Sequence, residues 1–158
     1  MARIAVSPGC MHARGMSLHG VPLTDDDLAL VEAARTAIKT NYEYKRHHVG
    51  AAVRTGDGRI FTGVHLEANV GRIAVCAEAV AIGTAESSGA RDVRTVVAVV
   101  HPHEGIDEPW IVSPCGMCRE LISDYGPDAE VILSDDTGSP MKVKVLDLLP
   151  AKYIRDPR

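Results

Sequence analysis

Two short stretches decide the reading of this chain: Cys76-Ala77-Glu78 and Pro114-Cys115-Gly116-Met117-Cys118. Together they supply three thiols and one carboxylate. Cys115 and Cys118 are three positions apart, so on the first turn of a helix both sulfurs project toward one point. Three protein ligands leave the fourth position of a tetrahedral zinc open for water, which is the arrangement of a catalytic site. Glu78, two positions past the first thiol, is close enough to handle the protons of that water.

Outward from these stretches, the composition sets limits. At 158 residues the chain is long enough for one domain with a real core. Hydrophobic residues make up 46% and charged residues 24%, the balance of an ordinary soluble domain. The formal charge of −4 and an aromatic content of 4% argue against a protein that grips a phosphate backbone or stacks on unpaired bases. A small neutral substrate is expected instead, with no nucleic acid and no membrane as partner. Residues 1–20 carry no secretory pattern and no run of transmembrane length, so a cytoplasmic, thiol-reducing location is expected. Cys10 lies in this irregular stretch and is set aside as a ligand. Residues 1–22 read as a flexible extension, and 23–158 as the single domain.

The elements follow from periodicity. Thr24 caps a helix opened by Asp25, Asp26 and Asp27, with an apolar stripe of Leu28, Val31, Ala34, Ala37 and Ile38 running to about Thr40. Val49 to Thr55 and Arg59 to Glu67 form a hairpin about Gly56-Asp57-Gly58. A helix runs from Cys76 to Ser88, and Gly83 within it suggests close packing against a neighbour. Val93 to Val100 is a buried strand, Ile111-Val112 a brief one, and Cys115 to Tyr125 a helix. Strands over Glu130–Leu133 and Met141–Val145 and a short helical turn at 146–149 complete the domain. Alternating strands and helices imply helices covering a sheet. Cys76 and Cys115 then both begin helices, whose positive ends favour thiolates.

The two stretches resemble the all-cysteine signature of the cytidine deaminase superfamily. The resemblance runs from about Tyr42 to Tyr153. It implies a three-layer α-β-α sandwich around a mixed, roughly five-stranded sheet. It also implies one Zn²⁺ held by Cys76, Cys115 and Cys118, Glu78 as the catalytic proton carrier, and hydrolytic release of ammonia from a cytosine nucleoside, as in pyrimidine salvage. Val49-Gly50-Ala51-Ala52 is similar to a family strand, and Glu67 stands where the family binds the sugar. Three positions depart from the pattern. His47 replaces a Phe that packs on the pyrimidine, His65 replaces an Asn beside the sugar, and Ala79 replaces an Arg that offsets thiolate charge. Helix starts, Arg119 or Arg72 are candidates for that offset. The backbone carbonyls of Ala77 and Ser113 are candidates to hold the ring and its leaving amine. Small members of the family form homotetramers, and Tyr153 matches an aromatic that reaches into a neighbouring site; a dimer is the alternative. Asp57 to Val64, Gly83-Thr84-Ala85, Ser113-Pro114-Cys115 and Leu148-Leu149-Pro150 look like the blasticidin-S deaminase group of the same superfamily, so an aminonucleoside substrate is the second reading. A nucleic-acid editing deaminase and a non-catalytic zinc domain are the remaining rivals.

Overall fold

A computed structural model describes residues 18–102 and 108–155. Cys10 and the rest of residues 1–17 lie outside the described residues, as do 103–107. The elements in order are α1 (Asp25–Asn41), β1 (Val49–Thr55), β2 (Ile60–Val64), α2 (Ala77–Ser87), β3 (Val93–Val100), β4 (Trp110–Val112), α3 (Gly116–Tyr125), β5 (Glu130–Ser134) and β6 (Pro140–Lys144). Single 3₁₀ turns occupy Gly71–Ile73 and Val145–Leu148.

The sheet is mixed and runs β2-β1-β3-β5-β6. Only β3 and β5 are parallel among these pairs. The brief strand expected at Ile111-Val112 is β4, which lies off this path. β4 pairs with Ala98–Val100 of β3, the stretch beyond the three residues, Thr95–Val97, that pair with β5. The hairpin closes where Gly58 adopts φ +84°, a conformation that side-chain-bearing residues avoid.

Strand alternation sorts the core into two layers. Ala52, Val97, Val99 and Ile132 face α1, against Leu30, Val31, Ala34 and Ile38. Their neighbours Ala51, Val53, Val96, Ala98, Val131 and Leu133 face α2 and α3, against Ala77, Ala81, Ile82 and Ile122. The result is the expected three-layer sandwich, with one helix on one face and two on the other.

Two glycines set how closely helices approach the sheet. A Cβ on Gly50 would lie 2.6 Å from the Ala34 carbonyl of α1, and one on Gly63 would lie 2.5 Å from the Ala81 amide of α2. The close approach expected at Gly83 is not found. Gly83 is exposed and an added Cβ would meet nothing within 4 Å. The contact belongs to Gly63, on the strand that α2 covers.

The stripe of α1 also differs from the periodic reading. Leu28 is 45% exposed, whereas Leu30 and Asp27 are buried. Asp27, Leu30, Val31, Ala34 and Ile38 share one face because they follow the three-and-four spacing from an acidic residue, which a search for apolar residues passes over. The Asp27 carboxylate is satisfied by Arg54 at 2.8 Å, Lys142 at 2.9 Å, and the amide and hydroxyl of Thr24. Lys142 also contacts Glu130 at 2.9 Å, and Arg54 donates to Thr95. This network ties α1 to β1, β3, β5 and β6. The last residues of the expected N-terminal extension are tied down as well. Val21 exchanges two backbone hydrogen bonds with Lys142, and Leu18 packs on the core.

Burial alone would raise the pKa of Asp27, but Lys142, Thr24 and Arg54 outweigh it and hold the carboxyl well below the usual range. A folded pKa below the unfolded one gives stability that is complete above the unfolded value of about 4 and is lost as pH falls toward the folded one. Asp27→Asn is therefore expected to cost about 3 kcal/mol at pH 7. It should also flatten the stability curve between about pH 5 and pH 2, as read by urea unfolding at a series of pH values.

Candidate active site and metal centre

α2 and α3 begin side by side, and their caps are the two thiols. Cys76 is the residue before α2 and Cys115 the residue before α3, both in extended backbone and neither using its side chain to cap. Their sulfurs are therefore free for another partner at two positive helix ends. Cys118, inside the first turn of α3, turns toward them. The three sulfurs lie within 4.8 Å of one another, and Cys76 and Cys115 are 3.7 Å apart. Zinc–sulfur bonds of about 2.3 Å at tetrahedral angles place sulfurs roughly 3.8 Å apart. The residues present fit a zinc ion, with Cys118 buried, Cys76 half-buried and Cys115 exposed.

The loop between β2 and α2 brings Cys76 back to the end of β2. Leu66 and Val75 pair across it through two hydrogen bonds, of 2.9 and 3.0 Å. That closure sets Cys76 beside the strand exit carrying His65 and explains why the spacing between them matters. Gly63, two residues earlier, lets α2 lie directly on the strand.

Glu78 sits on the first turn of α2 and is only 5% exposed. Burial raises its pKa above that of an ordinary carboxylate, partly offset by its own backbone N–H, the Cys118 side chain and the field of His65. Burial also pushes the Cys118 thiol far up, reinforced by Glu78 and the other two thiols. A cluster this poor in positive charge calls for a cation among its sulfurs.

One wall continues from Glu78 toward solvent. His65 Nε2 lies 3.6 Å from the Glu67 carboxylate. His47 Nδ1 is 2.7 Å from the His65 carbonyl, and Glu67 N–H donates to the Arg46 carbonyl at 3.1 Å. The structure thus brings His47, His65 and Glu67 together, with His65 close enough to Glu78 for its field to act there. Further rings lie beside them, outside the strands and helices that periodicity marks. The rings of Tyr42 and His101 stack at 4.0 Å, and the His48 ring is 5.9 Å from that of His65. Their signal was the density of rings around the start of β1, in a segment without periodicity.

Three expectations change. The Ala77 carbonyl does not face the opening. It lies in the α2 ladder against Gly63, where a Cβ would come within 2.8 Å of it. What Ala77 leaves at the helix start is its N–H, one of the first-turn amides without an intrahelical acceptor. Arg119 does not offset thiolate charge by contact. It donates to the carbonyls of Pro114 at 3.0 Å and Leu148 at 3.3 Å and to the Ser113 hydroxyl at 3.2 Å, so it clamps the segment that leads into Cys115. Arg72 is exposed on the 3₁₀ turn Gly71–Ile73. Helix starts remain as the positive ends nearest the sulfurs. Tyr153 is 77% exposed beyond the last turn.

The chain is similar to known proteins. The family model described as the cytidine and deoxycytidylate deaminase zinc-binding region matches residues 24–134. A blasticidin-S deaminase of Bacillus cereus is 50% identical over 136 residues, covering 85% of this chain and 96% of that protein. A cytidine deaminase of Halalkalibacterium halodurans is 31% identical over 130 residues, covering 82% and 94%. The crystal structure of a cytidine deaminase from Burkholderia pseudomallei superposes with a TM-score of 0.64 at 32% identity, covering 83% of this chain and all of that one.

The purified chain is expected to carry one zinc per subunit by elemental analysis. Cys118→Ser, which removes the buried ligand, should lower zinc affinity by at least a hundredfold in a chelator competition.

Proposed function

The chain belongs to the cytidine and deoxycytidylate deaminase family, and from that premise we propose that it is a zinc-dependent hydrolase that converts the cytosine ring of a nucleoside to uracil with release of ammonia. The observation that carries this reading is the meeting of three sulfurs and one buried carboxylate at two adjoining helix starts. Cys76, Cys115 and Cys118 would hold zinc, which would supply a water that gives up its proton readily. Glu78 takes that proton and delivers it to the ring nitrogen beside C4 as the water oxygen bonds to C4; it then takes the remaining proton of that oxygen and passes it to the amine, so that the C4–N bond breaks and ammonia leaves. Its burial beside Cys118 suits a group that takes up and releases a proton twice in each turnover. The Ala77 N–H suits the ring carbonyl as a donor, and the Ser113 carbonyl suits the leaving amine as an acceptor. Arg119 is a positioning residue, because it holds the segment that presents Ser113. His65 and Glu67 bind the sugar end, and His47 packs on the pyrimidine.

A cytosine nucleoside is the substrate of both readings. The blasticidin-S deaminase relative shares 50% of its residues with this chain, against 31% for the cytidine deaminase named above. That difference supports an aminonucleoside as the second reading. Among the described residues no helix is long and apolar enough to cross a membrane. Thiols that must stay reduced to hold zinc support a cytoplasmic location.

We also propose a homotetramer with sites shared between subunits. Leu66, Val70, Ile73 and Met117 expose apolar surface along the loop and helix start that frame the metal centre. Lys152, held by Glu120 and Asp124 at 2.8 Å each, anchors the C-terminal segment so that Tyr153 and Ile154 project outward.

Glu78→Gln should retain zinc and lose at least a thousandfold in kcat on cytidine or blasticidin S, read by ammonia release; an unimpaired variant rejects the mechanism. Light scattering is expected to give four times the 16.9 kDa chain mass, and a fully active monomer would end the shared-site idea.

A further inference from the structure

We propose that Lys152 is a positioning residue for the metal centre: it latches the C-terminal segment onto α3, and the Arg119 guanidinium carries the position of that segment to Ser113 and Cys115. The inference rests on the zinc deaminase reading given above. Arg119 is where the first turn of α3, its entry segment and the C-terminal segment meet. Nε donates to the Pro114 carbonyl at 3.0 Å, Nη2 to the Ser113 hydroxyl at 3.2 Å and Nη1 to the Leu148 carbonyl at 3.3 Å. A guanidinium is planar and its donors are fixed relative to one another. If the Leu148 carbonyl moves, the plane turns with it and the other two bonds are strained or lost. Pro114 is joined directly to Cys115, and Ser113 carries the carbonyl that suits the leaving amine.

Two anchors hold the segment that ends in Lys152. The Leu148 side chain is buried in the core cluster that also contains Cys118 and Ile122. Lys152 Nζ lies 2.8 Å from both Glu120 and Asp124, which are one helical turn apart on α3. Glu120 adjoins Arg119 in the chain. Between the anchors Ala151 adopts φ +58°, the left-handed region that a residue with a side chain enters only at a cost. Such a backbone persists where contacts on either side impose it. Without the Lys152 pair, Ala151 relaxes and the Leu148 carbonyl is free to turn away from Nη1. Ion pairs near the surface add little to overall stability, so the loss is expected at the metal centre rather than in folding.

The test uses the full chain loaded with zinc or with cobalt(II), whose thiolate charge-transfer and d–d bands report sulfur geometry without turnover. Lys152→Met is expected to weaken zinc about threefold in a chelator competition and to shift the cobalt bands, and Lys152→Arg to restore both. Arg119→Lys keeps the charge but not the fork. It should weaken zinc about tenfold, and adding Lys152→Met to it should cost nothing more. Tyr153→Ala, beyond the latch, should leave zinc affinity and cobalt bands as in wild type. Melting temperatures check that each variant is folded. Unchanged cobalt bands in Lys152→Met, an effect that adds in full to that of Arg119→Lys, or the same shift in Tyr153→Ala overturns the proposal. A change confined to KM for cytidine, with both metal readouts unaltered, also overturns it and makes Lys152 a support for Tyr153 alone. Metal effects as expected without turnover of any cytosine compound leave the latch standing and overturn the deaminase reading.

Discussion

Three sulfurs from two separate helices have to come within reach of one ion, and that requirement sets tolerances for the rest of the structure. Neither helix can drift, because a shift of an ångström would break a ligand set whose sulfurs belong about 3.8 Å apart. α2 is seated by Gly63, which lets helix backbone rest against strand backbone. α3 is seated by Arg119, which fastens its entry segment to the end of the last 3₁₀ turn. Gly63 acts on the turn just after Cys76, and Arg119 on the residues just ahead of Cys115. Glu78 comes with the arrangement, since the first turn that follows Cys76 buries it beside Cys118.

The opposite face of the sheet carries a different kind of constraint. Asp27 is fully buried and acidic, and its two cationic partners lie on β1 and β6. A buried charge pair is weak evidence for net stability, but removing one partner leaves the others stranded. The network therefore fixes where α1 begins relative to four strands. α1 in turn covers Ala52, Val97 and Val99, the reverse side of the strands that end at the site.

The outer wall is held by backbone contacts as well as by side chains. Positions 47 and 65 carry imidazoles where the family resemblance implies Phe and Asn. The His65 carbonyl fixes the tautomer of His47, and the side chain of His65 faces Glu67. The polarity of the wall is thus set by a backbone group as much as by side chains. Tyr42, His48 and His101 extend the same ring-rich surface behind it.

The amino-acid sequence by itself determined the three thiols that could hold a metal, the carboxylate on the turn beside them, the capped start of α1, the hairpin and the order of helices and strands. These follow from local rules: thiol spacing, a Thr-Asp cap, a Gly-Asp-Gly turn and strand alternation. Only the tertiary structure decided that Gly63 rather than Gly83 carries the close contact, that Leu30 and Asp27 rather than Leu28 face the core, and that Ala77 presents its amide rather than its carbonyl. It also decided that Arg119 clamps a loop instead of balancing charge. Each of these depends on a partner more than ten residues away, or on the direction of a helix against its neighbour. Local periodicity holds no record of such distances, because the chain only acquires them when the sheet closes beneath its helices.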